Sequence, residues 1–255
     1  MEVLYLNLER RKERDEQFRR LNAAIADFRR WNAVDGGRLR TEDLLRERVI
    51  AEPLRAYTPG ALGCAMSHRS VWEHSVATTA VQTVAEDDAV FNRHFAAKAA
   101  NVLAALPPDW DVVLWGWNFD AVLHAQVLEG MKQSVMRFDR RRLGSRLSEF
   151  QERQYDVLPL RLIAAFGTVC YSVSPKGAQR LIERCFPLKN EKIAVPGMRW
   201  SLPNAGIDVV MNKHYGTLKS YVSFPPLVWT ENDKASSDIH PKEWSLARVL
   251  SWLWG

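Results

Sequence analysis

The sequence predicts an α/β fold in which a mostly parallel central sheet is flanked by helices, and three observations carry that expectation. First, the chain opens on a buried-strand run, Val3-Leu4-Tyr5-Leu6-Asn7-Leu8. A charged stretch follows with Phe18, Leu21, Ile25 and Phe28 at helical spacing, and Trp31 to Val34 then returns as a second strand, the outline of a βαβ unit. Second, strand-like and helical segments keep alternating beyond residue 37. Third, the β-prone run Ala80 to Ala85 ends abruptly in Glu86-Asp87-Asp88, three acids at a strand tip.

The remaining elements follow from local chemistry. Thr58-Pro59-Gly60 supplies a capping hydroxyl and a proline suited to the first helical turn, so a helix runs from about 59 to 78 with Leu62, Ala65, Met66, Trp72 and Val76 on one apolar stripe. His94 to Leu106 is a helix stopped by Pro107-Pro108, and Asp111 to Trp117 is apolar on both faces, as in a central strand. Residues 120–160 show no clear period and read as helix and loop over an active-site edge. Thr168 to Val173 is a strand, Ser174-Pro175 caps a helix, and the proline- and glycine-bearing segment 187–206 is a long loop on the acceptor side. A helix starts near Ile207-Asp208, a strand spans Leu218 to Phe224, and residues 242–255 form an amphipathic C-terminal helix rich in tryptophan.

A chain of 255 residues with 47% apolar and 25% charged residues has the composition of a folded globular protein, and a single domain over 1–255 is expected. Three cysteines at unrelated spacings imply no disulfide framework and a reducing, cytoplasmic setting. No stretch approaches the roughly 20 apolar residues of a membrane span, although the C-terminal helix could rest peripherally on the inner membrane. The net charge of +5 suits phosphate-bearing ligands, but also nucleic acid or anionic lipid.

Ligands of open α/β sheets bind beyond the carboxyl ends of strands, which is where Glu86-Asp87-Asp88 stands. Adjacent carboxylates repel unless a cation or hydrogen bonds offset their charge. Mg²⁺ or Mn²⁺, which accepts a few carboxylate oxygens and fills its other positions with water and phosphate, is the natural counter-charge. A solvated turn is the plain alternative. Cys64 and His68 stand four apart on a helix and could share a metal, a weak pattern without a second pair.

Taken together, an ordered set of motifs resembles glycosyltransferase family 25, the bacterial lipooligosaccharide galactosyltransferases and their collagen-modifying relatives. The set comprises Leu6-Asn7-Leu8-Glu9-Arg10-Arg11-Lys12-Glu13-Arg14, Ala33-Val34-Asp35-Gly36, Gly63-Cys64-Ala65-Met66-Ser67-His68, Glu86-Asp87-Asp88, Tyr171-Ser172-Val173-Ser174 with Gly177-Ala178, Ile207-Asp208, and Pro225-Pro226-Leu227-Val228. The resemblance implies a GT-A-like nucleotide-binding fold, a UDP-sugar donor, a divalent cation and inversion at the anomeric carbon. It implies Asp88 and Asp87 as metal ligands, with Glu86 near the ribose or reaching the ion through water. Asn7, Arg11, Arg14, Asp35, Ser67 and His68 are implied on the donor side, and Asp208 as the catalytic base, its alternative being a helix N-cap. Cys64 is expected to pack in the core. Two departures are Ala85, where a larger aliphatic is common, and Trp229, where a polar residue often stands. Trp117, Trp200 and Trp229 are candidates for stacking on sugar rings.

The expected function is inverting transfer of a hexose, galactose first, from a UDP-sugar to a saccharide or lipid-linked saccharide hydroxyl in bacterial surface glycan (LPS/LOS) assembly, with no nucleic-acid partner. A metal-dependent phosphodiesterase or nucleotidyltransferase would use the same acidic strand end, and a non-catalytic UDP-binding module would share the fold.

Overall fold

The computed structural model describes residues 1–119, 121–128, 133–138, 146–196 and 201–230. The expected C-terminal helix over 242–255 and Trp200 lie outside the described residues. In chain order the elements are β1 (Glu2–Asn7), α1 (Lys12–Leu21), β2 (Asp27–Asn32), α2 (Thr41–Arg46), α3 (Pro59–Thr78), β3 (Gln82–Glu86), β4 (Ala89–Phe91), α4 (Phe95–Ala105) and β5 (Val112–Gly116). They continue as β6 (Val122–Gln126), β7 (Ser134–Arg137), α5 (Leu147–Glu152), β8 (Leu158–Ala164), β9 (Cys170–Val173), α6 (Pro175–Cys185), β10 (Lys192–Ala194), β11 (Ser201–Pro203), α7 (Ile207–Tyr215), β12 (Ser220–Phe224) and β13 (Val228–Thr230).

The α/β class holds, and the strands form a central sheet in the order β2-β1-β3-β9-β5-β12-β8-β6-β7. The sheet is mixed rather than mostly parallel. β1 pairs in parallel with β2 and β3, and β5 with β12, while β9 runs antiparallel between β3 and β5 and β8 antiparallel to β12 and β6. Hydrophobic periodicity carries no strand direction, so a strand inserted between two others in the opposite sense looks the same in sequence as one that continues the parallel series.

Strand alternation sorts the core into two layers. Leu4, Leu6, Val84, Leu114 and Val173 face α3, α6 and α7, packing on Trp72, Leu181 and Met211. Val3, Tyr5, Ala85, Val113 and Trp115 face the opposite way, onto Phe18 of α1 and Phe95, Ala99 and Val102 of α4. Being covered on both sides explains why β1 and β5 read as continuous apolar runs.

Among the described residues, 120–160, expected as helix and loop, instead hold β6, β7, the short α5 and the start of β8. β7 lies at the sheet edge and alternates in exposure, with Val135 on the solvent side, so its apolar content is too thin to announce a strand. The expected loop 187–206 contains the β10–β11 hairpin, and a second small ladder pairs β13 with β4. α1 stops at Leu21, so Ile25 and Phe28 reach the core from a turn and from β2 rather than from the helix.

α3 and α6 begin where their caps place them. Thr58 Oγ1 accepts from the Ala61 N–H, and Ser174 Oγ from the Gly177 N–H, each with proline in the first turn. Backbone contact then seats α3 against the turn after β2: a Cβ at Gly63 would lie 2.5 Å from the Val34 carbonyl oxygen and 2.6 Å from the Gly36 nitrogen. Gly63→Ala is therefore expected to destabilise the fold by about 1–3 kcal/mol, read as a lower urea midpoint at unchanged slope. An unchanged midpoint would show that the helix moves aside freely.

Candidate active site

β1 and β3 are parallel neighbours, with Leu6 beside Glu86, so Asn7 and the acidic triplet emerge at the same edge of the sheet. From the far side of the cleft, α7 contributes Asp208 in its first turn. The three acids of the triplet have different surroundings. Asp87 is held on both carboxylate oxygens: Asn7 Nδ2 donates to Oδ2 at 2.8 Å, and Arg14 donates to Oδ1 through Nε at 2.7 Å and Nη2 at 2.5 Å. Asn7 also donates to the Arg11 carbonyl and accepts from Arg30 Nε at 3.0 Å, so β1, the start of α1 and β2 all close on Asp87.

Asp88 differs. Its Oδ2 lies 3.8 Å from Arg14 Nη2 and its carboxyl takes a hydrogen bond from the Thr230 side chain, yet Oδ1 is buried with no hydrogen-bond partner among the described residues. Glu86 Oε1 accepts from Thr168 Oγ1 at 2.5 Å. Desolvation, followed by the charge of Asp88, drives the Glu86 carboxyl up to about 8, with Asp208 and Asp87 adding to it. Desolvation likewise raises Asp88. Asp208 Oδ2 accepts from the Gly167 N–H at 3.0 Å. The N-cap of α7 is Gly206, not Asp208, and a Cβ at 206 would stand 2.8 Å from Asp208 Oδ1.

The other expected donor-side residues are placed as follows. Asp35 caps the turn after β2, accepting from the Gly37 N–H, and pairs with Arg10 at 3.3 Å. Arg11 pairs with Glu13 at 3.0 Å. Ser67 is buried, donating to the Gly63 carbonyl and accepting from the Val34 N–H, so it ties α3 to the loop after β2. His68 is fully buried, its Nδ1 2.9 Å from Tyr171 Oη, which also accepts from Trp72 Nε1 at 2.7 Å. A phenol oxygen can accept from the indole and from the imidazole together, so the direction of the His68–Tyr171 bond follows the ring tautomer, and Nε2 is the nitrogen outside it. That nitrogen has no partner among the described residues, and burial pushes the imidazole down to about 3, so the ring is neutral.

Thr168 and Thr230, which contact the acids directly, carry no sequence signal, since nothing in a lone threonine distinguishes it from a strand residue. Trp117 is fully buried against Phe119 and Phe138 and has no free face. Trp229, next to Thr230, lines a cavity of about 230 Å³ with Arg146, Glu149, Phe150 and Arg153.

Carboxylates from separate elements thus gather at strand ends of a mixed α/β sheet, the edge beyond which open α/β sheets generally bind ligands. The chain belongs to glycosyltransferase family 25: the model of that family, described as an LPS biosynthesis protein, matches residues 1–195. Among curated proteins it is 34% identical over 126 residues to a glycosyltransferase 25 family member of Aedes aegypti, covering 45% of this chain and 21% of the relative. It is 31% identical over 127 residues to procollagen galactosyltransferase 2 of Homo sapiens, covering 45% of this chain and 20% of the relative. The aligned part thus spans about a fifth of those relatives. No helix among the described residues is long and apolar enough to cross a membrane.

The raised Glu86 carboxyl has a consequence for stability. Between the ordinary value of 4.5 and about 8 the folded state holds a proton that the unfolded state has lost, so stability falls as pH rises through that window. Urea midpoints across it should drop more steeply for the native chain than for Glu86→Gln, which cannot titrate. Parallel profiles would show that the glutamate is ionised throughout.

Proposed function

We propose that this chain transfers a hexosyl group, galactose first, from a UDP-sugar to a saccharide hydroxyl with inversion, in the assembly of a bacterial surface glycan. The observation that carries the reading is the buried Asp88 Oδ1 just after β3, without a hydrogen-bond partner among the described residues, beside the further carboxylates of Glu86 and Asp208. An all-oxygen donor set of this kind fits Mn²⁺ or Mg²⁺, with Asp88 and Glu86 as the residues that would hold it. When bound, such an ion supplies positive charge against the diphosphate that leaves.

The chain's own residues divide the remaining work. Asp87, engaged by Asn7 and Arg14, braces the turn that presents Asp88 and Glu86, a role we favour over direct metal ligation. Asp208 takes the proton of the acceptor hydroxyl as its oxygen bonds to the anomeric carbon and the bond to the UDP oxygen breaks, the electron pair leaving on the diphosphate. The Gly167 N–H orients one oxygen of Asp208, and the missing side chain at Gly206 leaves the other room. Arg11, Asp35 and their neighbours after β1 and β2 border the same edge and suit the nucleotide. The cavity bordered by Trp229, itself packed on Phe119 and Phe150, and by Arg146 and Arg153 suits the saccharide acceptor. The family description and the galactosyltransferase relatives favour surface glycan and galactose over other choices.

A panel of UDP-sugars assayed for Mn²⁺-dependent hydrolysis and transfer tests this. UDP-galactose should be the best donor, and Asp88→Asn should lower turnover by about 100-fold or more, as losing a stabiliser of transition-state charge does. Asp208→Asn should lower kcat by about 10²–10⁴-fold at little-changed donor KM. Undiminished turnover in either variant would remove that residue's role. Mn²⁺-dependent UDP binding without turnover would point to a binding module, and cleavage of phosphodiesters without sugar transfer to the hydrolase class.

A further inference from the structure

We propose that Cys64, His68 and Glu86 form a second cation site, one that takes a thiophilic divalent ion of the zinc class rather than Mn²⁺ or Mg²⁺. One ligand atom from each lies within 4.8 Å of the others, an arrangement that needs only a small closure to surround an ion. Two elements build it. Cys64 and His68 stand one turn apart on α3, so their side chains share a face. β3 brings Glu86 to that face from the sheet. Cys64 packs partly against the core, as expected, and is half-buried there.

The second observation is the histidine. His68 is fully buried, and its Nε2 is without a partner among the described residues, although an orphaned buried nitrogen costs free energy. A metal-binding imidazole is neutral, uses one nitrogen for the ion and donates the other N–H to a fixed acceptor. His68 has that second partner in Tyr171 Oη, itself held by Trp72 Nε1. In the bound state the ring proton sits on Nδ1 and is donated to Tyr171 Oη, which leaves the Nε2 lone pair for the ion. The Cys64 thiol gives its proton to solvent as the sulfur–metal bond forms, and the Glu86 carboxyl binds as carboxylate.

Thiolate, imidazole and carboxylate together are a zinc ligand set with a fourth position open, whereas a hard ion gains little from sulfur. The two sites share Glu86 but not their chemistry. Binding of the thiophilic ion does not rest on the donor reading. Its expected consequence does: Zn²⁺ occupying Glu86 would compete with the donor.

The test is a Co²⁺ titration of the full chain without nucleotide, followed by absorption. The expected result is a near-ultraviolet thiolate-to-cobalt band that saturates at one equivalent, bleaches on adding Zn²⁺ and is missing in Cys64→Ser. Tyr171→Phe, which removes the hydroxyl that partners both His68 Nδ1 and Trp72 Nε1, should weaken Co²⁺ binding by about 10–100-fold. Circular dichroism checks folding, and Glu86→Gln serves as a second ligand variant should Cys64→Ser not fold. No band at saturating Co²⁺, or a band that survives in folded Cys64→Ser, would overturn the site. Mn²⁺-dependent UDP binding, measured on the same preparation, separates the outcomes. A cobalt band without it removes the donor reading alone, and UDP binding without a cobalt band removes this site alone.

Discussion

Negative charge held at the end of one buried strand is the constraint on which the rest of this molecule depends. Glu86, Asp87 and Asp88 follow one another, Asp208 approaches from α7, and desolvation and mutual repulsion raise the carboxyls of Glu86 and Asp88. Such an arrangement persists only where the surrounding structure over-determines it. Here the determination is visible. Arg14 and Asn7 clamp Asp87, Thr168 holds Glu86, Thr230 holds Asp88 and the Gly167 N–H holds Asp208. The partners come from β1, α1, the loop between β8 and β9, and β13, so distant parts of the chain must be assembled before the acids can sit together.

That dependence gives a physical meaning to otherwise separate parts of the fold. The parallel pairing of β1 with β3 brings Asn7 alongside the triplet. β13 pairs with β4 and thereby carries Thr230 to Asp88 and Trp229 to the neighbouring cavity. β9, inserted antiparallel beside β3, begins just after Thr168 and places Tyr171 behind His68. The reversal of β9 that sequence periodicity could not show is therefore what delivers two of the contacts that set the electrostatics of the cleft.

Legibility in the sequence followed the strength of the local signal. α3 and α6 were readable to the residue because a capping hydroxyl and a proline announce each start. β1, β3 and β5 were readable because burial on both faces leaves unbroken apolar runs. β7 was hidden because an edge strand with one wet face mixes polar and apolar residues, and β6 and β8, although largely buried, because His124, Pro159 and Arg161 interrupt their apolar runs. At the site, the place of Glu86 and Asp88 at a strand end was legible from the local pattern, whereas Asp208 stood out only through the family resemblance. That Asp87 faces Arg14, that Ser67 serves the backbone, and that Thr168 and Thr230 reach the acids are tertiary facts, set by which strands become neighbours. The Cys64–His68 pair was visible at helical spacing, but its third member, Glu86, joined it only through the packing of α3 on β3.

The most direct measurement is the position of manganese in crystals grown with UDP, located by its anomalous scattering. The expected result is a peak within bonding distance of Asp88, bridging to the diphosphate, with Asp87 still turned toward Arg14. A peak distant from the end of β3, or UDP bound with its phosphates away from the acidic triplet, would contradict the account.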